Sequence, residues 1–267
     1  MKDATHVNPT PIREHWIPTE RGKLYAKQWQ PVSGHVVDDI PIVLFHDSLG
    51  CVELWRDFPQ QLADTASRTV IAYDRLGFGQ SDAHPGTLGN GFIHEEARGD
   101  FLALRRHLGI GAFIAFGHSV GGGMAVGCAA EYPDDCKMLI TESAQAFVED
   151  RTIAGIEQAR VAFQQPGQLE RLKKYHGEKA AWALHAWIDT WLGAGFANWC
   201  LDEDLRRVAC PVLAIHGDGD EYGSIHHPER IVGLSPGVSR MEIVEGCGHV
   251  PHREQPALVL SLLQRFI

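Results

Sequence analysis

The stretch Ala112-Phe113-Ile114-Ala115-Phe116-Gly117-His118-Ser119-Val120-Gly121-Gly122-Gly123-Met124-Ala125 decides the fold. Five apolar residues, 112–116, read as a buried strand. Gly117 to Gly121 then has the pattern G-x-S-x-G, and small residues open a helix. A serine on so sharp a strand-to-helix turn sits in strained backbone, with its hydroxyl pushed clear of the sheet. Glycines flank it because a Cβ there would clash. The helix start aims free N–H groups and the positive end of its dipole at any oxyanion formed beside the serine. A bare G-x-S-x-G is common by chance. The buried strand before it and the Ala/Gly helix after it make Ser119 a candidate nucleophile rather than a structural serine in a glycine turn.

Working outward, short apolar runs recur at 42–45, 69–73, 137–140, 212–215 and 240–244. Runs apolar on both faces fit a parallel sheet between helices. Helical spacing separates them at 57–66, 92–108, 124–131 and 257–266. Two extended stretches, 14–18 and 23–30, joined by Thr19-Glu20-Arg21-Gly22, predict an antiparallel hairpin at the start. The alternation predicts an α/β fold with right-handed crossovers. From about 146 to 207 the strand pattern lapses. This segment is helical and aromatic, split by Pro166-Gly167, and holds four of the seven tryptophans: Trp182, Trp187, Trp191 and Trp199. An insertion at this point lies over the carboxyl edge of the sheet, where open α/β sheets bind ligands. It reads as a lid (145–207) on a core of 1–144 and 208–267. Trp182, Trp187 and Trp191 are candidate pocket residues; the bland alternative is that the aromatics only stick the lid to the sheet.

Composition narrows the function. Of 267 residues, 44% are hydrophobic and 22% charged, ordinary for a globular protein. A formal charge of −10 disfavours nucleic acid, and no apolar run approaches the ~18 residues of a membrane span. The opening Met1-Lys2-Asp3-Ala4-Thr5-His6 lacks the apolar core of a secretory signal. Cys51, Cys128, Cys136, Cys200, Cys210 and Cys247 are scattered without C-x-x-C. Reduced thiols and a cytoplasmic location are therefore expected. Neither His94-Glu95-Glu96 nor His226-His227 has metal-ligand spacing, so no metal is expected. The first dozen residues, with Pro9 and Pro11, are expected to be loosely ordered. The expected partner is a small-molecule substrate, bound by a monomer or homodimer.

A serine hydroxyl needs a base to take its proton and an acid to orient that base. On a sheet of this kind the partners follow in the order Ser, Asp/Glu, His, each after a strand. After 212–215 comes His216-Gly217-Asp218-Gly219-Asp220, and after 240–244 comes Gly246-Cys247-Gly248-His249. His249 is the candidate base. Spacing alone leaves Asp218 and Asp220 both open as the acid, the other being a turn former. An oxyanion hole needs two backbone donors. Val120 supplies one, and Ser48, in His46-Asp47-Ser48-Leu49-Gly50 after 42–45, is the candidate for the second. His46 is expected to hold that loop by hydrogen bonds, Cys247 to fill its loop, and Asp74-Arg75 to shape a turn and pair charges locally. His118 is expected against the lid or core, and Tyr222 and His252 are outside candidates for the pocket mouth.

Together these residues resemble the α/β-hydrolase superfamily, over nearly the whole chain from Trp16 to Phe266. The motifs, in order, are Phe45 to Gly50 with Trp55; Asp74-Arg75-Leu76-Gly77-Phe78-Gly79-Gln80-Ser81-Asp82; Gly117 to Gly122; His216 to Asp220; and Gly248-His249-Val250-Pro251-His252 with Glu254 and Pro256. The resemblance implies an eight-stranded, mostly parallel sheet, a helical cap between strands six and seven, and no cofactor. It places the acid at the last position of G-x-x-D, which favours Asp220. One departure stands out: the oxyanion loop of such proteins reads His-Gly, and here Asp47 replaces the glycine. A charge there opposes a developing oxyanion unless it is paired or turned away. A serine at 119 argues against the dehalogenases and epoxide hydrolases of similar fold, which carry aspartate. The expected activity is hydrolysis of a small, largely apolar ester through an acyl-enzyme. The rivals are C–C bond hydrolysis of a ring-cleavage product or lactone opening, whose carboxylates call for Arg151, Arg160 or Arg171 in the pocket, and a non-catalytic binding or signalling protein.

Overall fold

The computed structural model describes residues 12–267; the expectation for the first dozen residues falls almost wholly on 1–11, outside the described residues. Eight strands form one sheet: β1 Arg13–Thr19, β2 Gly22–Trp29, β3 Ile42–Phe45, β4 Val70–Asp74, β5 Phe113–His118, β6 Cys136–Glu142, β7 Val212–Gly217 and β8 Ser239–Val244. Their order is β1-β2-β4-β3-β5-β6-β7-β8. The first two strands form the expected antiparallel hairpin, β2 runs antiparallel to β4, and every pair beyond is parallel.

Alternation along each strand explains why the runs are apolar throughout. Val43 and Phe45 of β3 pack on one face with Phe101, Leu104 and Val126. Ile42 and Leu44 pack on the other with Phe58, Leu62, Val259 and Leu263. Successive side chains point to opposite faces, so both kinds of neighbour must be apolar. The helix Val120–Glu131 is rich in glycine, a poor helix former in isolation. Small residues instead let it lie close: a Cβ on Gly121 would stand 2.1 Å from the Phe45 carbonyl oxygen.

The continuous helix expected over 92–108 is broken. Phe92–Glu95 is helical, Glu96–Arg98 is a 3-10 turn, and Asp100–Leu108 is a second helix. The break turns two carboxylates inward, where Tyr73 donates to Glu96 at 2.5 Å and Asp100 accepts from Arg21 and the Leu76 N–H, both at 2.9 Å. Between β6 and β7 lie the helices Asp150–Phe163, Gln168–His176 and Ala180–Trp191, the first two parted at Gly167 (φ +83°). Their two ends meet through the antiparallel bridge Phe147↔Cys200. Among the described residues no helix is long and apolar enough to cross a membrane.

Candidate active site

Parallel strands bring their carboxyl ends to one edge. Register pairs Phe45 with Gly117, His118 with Glu142, and Gly217 with Val244. The loops after β3, β5, β6, β7 and β8 therefore converge. Ser119, directly after β5, has φ +55° and ψ −126°, a left-handed conformation that costs a non-glycine residue about 1–3 kcal/mol. Its N–H donates to the Glu142 carbonyl at 2.9 Å, and its own carbonyl accepts from Gly122 at 2.8 Å. The tight turn requires Gly117, where a Cβ would stand 2.1 Å from the Gly121 carbonyl oxygen.

The structure brings Ser119, His249 and Asp220 together. Ser119 Oγ lies 3.0 Å from His249 Nε2, and His249 Nδ1 lies 2.9 Å from both carboxylate oxygens of Asp220. Close approach of the β7 and β8 loops permits this: a Cβ on Gly217 would stand 2.2 Å from the Gly248 carbonyl oxygen. Asp220 is buried and also accepts from the N–H groups of Tyr222 (2.8 Å) and Gly223 (3.1 Å). Burial alone would raise its pKa, but the His249 hydrogen bond and charge outweigh it and hold the carboxyl below the usual range. Asp218 is exposed, and its contact is the Cys247 N–H at 3.3 Å, a turn-forming bond. Cys247 is buried and its thiol is pushed up to about 12, chiefly by burial, which keeps it protonated and inert.

Asp47 is paired. Its carboxylate lies 3.4 Å from His118 Nδ1 and accepts the Leu49 N–H at 2.8 Å. Burial acts to raise the Asp47 pKa, yet the His118 hydrogen bond and charge drive it far below the carboxylate range. Burial likewise acts to lower that of His118, and Asp47 more than reverses it. His118 Nε2 in turn donates to the His249 carbonyl at 2.8 Å. His118 thus lies in the core, one of its two expected places, packed against Trp55 and His252, and ties the loop after β3 to the loop carrying His249. His46 holds its loop as expected, through Nδ1 to the Asp47 carbonyl at 2.8 Å. The expected local pairing of Asp74 with Arg75 is not formed. Asp74 accepts the N–H groups of Val52 (2.6 Å) and Gln80 (2.7 Å), and Arg75 reaches His46 and the Asp47 carbonyl. The backbone N–H groups of Ser48 and of Val120, the first residue of its helix, have no partner among the described residues.

A cavity of about 170 Å³ opens over Ser119, lined by Asp47, Ser48, Leu49, His118, Gln145, Thr152, Ile156, Trp187, Trp191, Tyr222, His249 and Val250. Trp187 and Trp191 stand four residues apart, on one helical face. Trp182 lies five residues before Trp187 and faces elsewhere, which corrects its expected place in the pocket. Its Nε1 donates to the Gly86 carbonyl at 2.8 Å, and it stacks on His84 and packs edge-on to Phe78. Tyr222 does reach the cavity, its ring 4.8 Å from that of His249, while His252 is buried beneath Trp55 and bound to Glu142. Among the described residues no arginine or lysine lines the cavity. Arg151 is spent on the carbonyls of Asp220 (3.1 Å) and Gly223 (3.5 Å), Arg160 pairs with Glu157, and Arg171 is exposed. Gln145 and Thr152 escaped the sequence reading because single polar residues in an alanine-rich turn and a helix give no pattern.

A family model for the alpha/beta hydrolase fold matches residues 40–181. The chain belongs to that family. An uncharacterized protein of Mycobacterium tuberculosis strain H37Rv is 27% identical over 264 residues, covering 85% of this chain and 74% of its own. A putative esterase/lipase of Haemophilus influenzae is 26% identical over 187 residues, covering 63% of this chain and 64% of its own. Among solved structures, 2-hydroxy-6-oxo-6-phenylhexa-2,4-dienoate hydrolase from Rhodococcus sp. strain RHA1 superposes with a TM-score of 0.78 at 18% identity, over 96% of this chain and 98% of that one; at that identity the likeness speaks to the fold. The protein is an enzyme of the hydrolase class.

Within this alpha/beta hydrolase, His118, Glu142 and His252 offer three buried ligand atoms within 4.8 Å of one another, a grouping a metal ion could use. Each already has protein partners: His252 is bound to Glu142, and His118 lies between Asp47 and the His249 carbonyl. Hydrogen bonding accounts for these three residues as they stand.

Proposed function

We propose that this hydrolase cleaves a small carboxylic ester through a Ser119-His249-Asp220 triad and an acyl-enzyme. The observation that carries the reading is the continuous path from Ser119 Oγ through His249 to Asp220, at 3.0 and 2.9 Å. As Oγ attacks the carbonyl carbon, His249 Nε2 takes its proton, and Asp220 stabilises the imidazolium through Nδ1–H. The carbonyl oxygen becomes an oxyanion bound by the N–H groups of Val120 and Ser48. Collapse expels the alcohol, which receives the proton from His249. Water, deprotonated by the same ring, then releases the acid and restores Ser119. The paired state of Asp47 favours this scheme, since His118 neutralises a charge that would otherwise oppose the oxyanion.

We read residues 145–207 as a lid on a core formed by 1–144 and 208–267. The lid would contribute Ile156, Trp187 and Trp191 to the acyl or alcohol pocket, and the 170 Å³ of space limits the substrate to a small one. Carboxylate-bearing ring-cleavage products fit this cavity less well than esters, because among the described residues no arginine or lysine lines it and the imidazole of His118 is already paired with Asp47. The test is turnover of a short-chain p-nitrophenyl ester. Wild-type protein is expected to hydrolyse it, and Ser119→Ala to lose at least ~10³-fold in kcat/KM while keeping its melting temperature. Equal rates for the two proteins would refute the proposal.

A further inference from the structure

One buried polar side chain at the site has no task in the steps above. Gln145 follows β6 by three residues, is 4% exposed and lines the cavity. Strain and anchoring aim it. Ser143 has φ +48° without being glycine, and its N–H is tied to the Ile215 carbonyl at 2.9 Å. Beyond Gln145, the Ala146 N–H donates to His227 Nδ1 at 3.1 Å and the Ala146 carbonyl accepts from Leu201 at 2.8 Å. Held on both sides, Gln145 brings Oε1 to 3.4 Å from Ser119 Oγ. Ser119 has one hydroxyl proton, and His249 Nε2 at 3.0 Å is the nearer acceptor. When Ser119 is set for attack, the carboxamide oxygen therefore lacks a donor. Its nitrogen has no partner among the described residues. An amide that faces the cavity with neither end firmly held by the protein can turn its oxygen and nitrogen to a ligand, and a ligand that meets them gains hydrogen bonds.

We infer that Gln145 is a specificity-determining residue that binds an oxygen on the carbon next to the scissile carbonyl, so that the preferred acyl group is that of a 2-hydroxy or 2-oxo acid. This rests on the ester-hydrolase reading and deepens it. A group 3.4 Å from Oγ lies beside the substituents of the carbon that Oγ attacks. The carbonyl oxygen is directed to the loop after β3, which neighbours β5 on the side opposite β6. The ester oxygen must lie by His249, which protonates it. The acyl carbon remains for Gln145. Its Oε1 accepts from a hydroxyl there, and its Nε2 donates to a keto oxygen. A plain alkyl group fills the same space but leaves the amide unmet.

Methyl lactate and methyl isobutyrate differ by a hydroxyl in place of a methyl group and are nearly isosteric. The ratio of their kcat/KM values, compared between wild type and variants, cancels the intrinsic reactivity of each ester. In Gln145→Leu the lactate-to-isobutyrate ratio should fall at least tenfold. Gln145→Glu, whose carboxylate only accepts, should keep the preference for lactate and lose that for methyl pyruvate. A merely structural role would lower all three rates together and leave the ratios fixed, which would overturn the inference. Saturation-transfer NMR of the same esters with Ser119→Ala reads binding apart from chemistry. Lactate should bind in preference to isobutyrate, and the preference should vanish in Ser119→Ala/Gln145→Leu. No binding preference would overturn the role of Gln145 even if esters are hydrolysed. A preference without turnover by the wild type would uphold that role and refute the ester reading instead.

Discussion

Asp218 and Asp220 differ by two positions and by everything that matters chemically. Asp220 is buried, accepts two backbone N–H groups and meets His249 Nδ1 with both oxygens; Asp218 is exposed and braces a turn. Asp220→Asn replaces an acceptor with a mixed group and favours the wrong imidazole tautomer, so kcat should fall by roughly 10³–10⁴-fold. Asp218→Asn should stay within about threefold of wild type, since an amide oxygen can still receive the Cys247 N–H. Ester kinetics on the two variants check this, and equal losses would remove Asp220 from its role. Spacing in the sequence could not separate the two, because both follow one strand and precede or follow glycine. Ser119 and His249 were more legible, since a glycine-flanked turn after an apolar run leaves a local trace. Gln145 left none, because what gives it meaning is a contact with Oγ across 26 residues of chain.

At the level of elements, the strands were readable because a sheet covered on both faces demands unbroken apolar runs. The helix break at 96–99 was not, since inward carboxylates satisfied by Tyr73, Arg21 and Leu76 are a tertiary arrangement. Trp182 shows the same limit. Its helix was legible, but its direction is set by the turn after β4. Gly77 there has φ +89°, and a Cβ on it would stand 2.0 Å from Trp182 Cζ3. Gly77→Ala should therefore destabilise the protein by about 2 kcal/mol through backbone strain and overpacking. Adding Trp182→Ala removes the clash, so the double variant should be less destabilised than the sum of the singles. Urea midpoints of the four proteins measure this coupling; strict additivity would mean that the indole does not press on the turn.

Across the whole molecule, fifteen histidines invited a metal reading, yet several act as neutral connectors. His176 accepts the Gly79 N–H at Nδ1 (2.9 Å) and donates from Nε2 to the Leu49 carbonyl (3.0 Å). His227 accepts the Ala146 N–H at Nδ1 (3.1 Å) and donates from Nε2 to Glu149 (3.0 Å). A proton on Nδ1 would face a backbone N–H in either case. Burial lowers both pKa values, that of His227 to about 4. A histidine held neutral when folded contributes stability above its unfolded pKa of about 6.5, and this is lost as the pH falls toward the folded value. For His227 the loss between pH 7 and pH 5 is about 2 kcal/mol. Asp74 and Glu96, raised by burial to about 6 and 7, act with the opposite sign, because the folded state protonates them first. The clean measurement is therefore a difference. His227→Gln can make both hydrogen bonds without titrating. Its stability relative to wild type should improve by about 2 kcal/mol from pH 7 to pH 5 in urea unfolding, and an unchanged difference would show that His227 does not titrate as described.

The hydroxyl of Ser119 carries the whole functional account, and its reactivity can be read without knowing the natural substrate. Wild-type protein treated with an alkyl fluorophosphonate should gain one covalent adduct, mapped by peptide mass spectrometry to Ser119, and His249→Asn should label far more slowly. A folded wild-type protein that takes up no label, or takes it up elsewhere with Ser119 untouched, would contradict the assignment of this serine as the nucleophile.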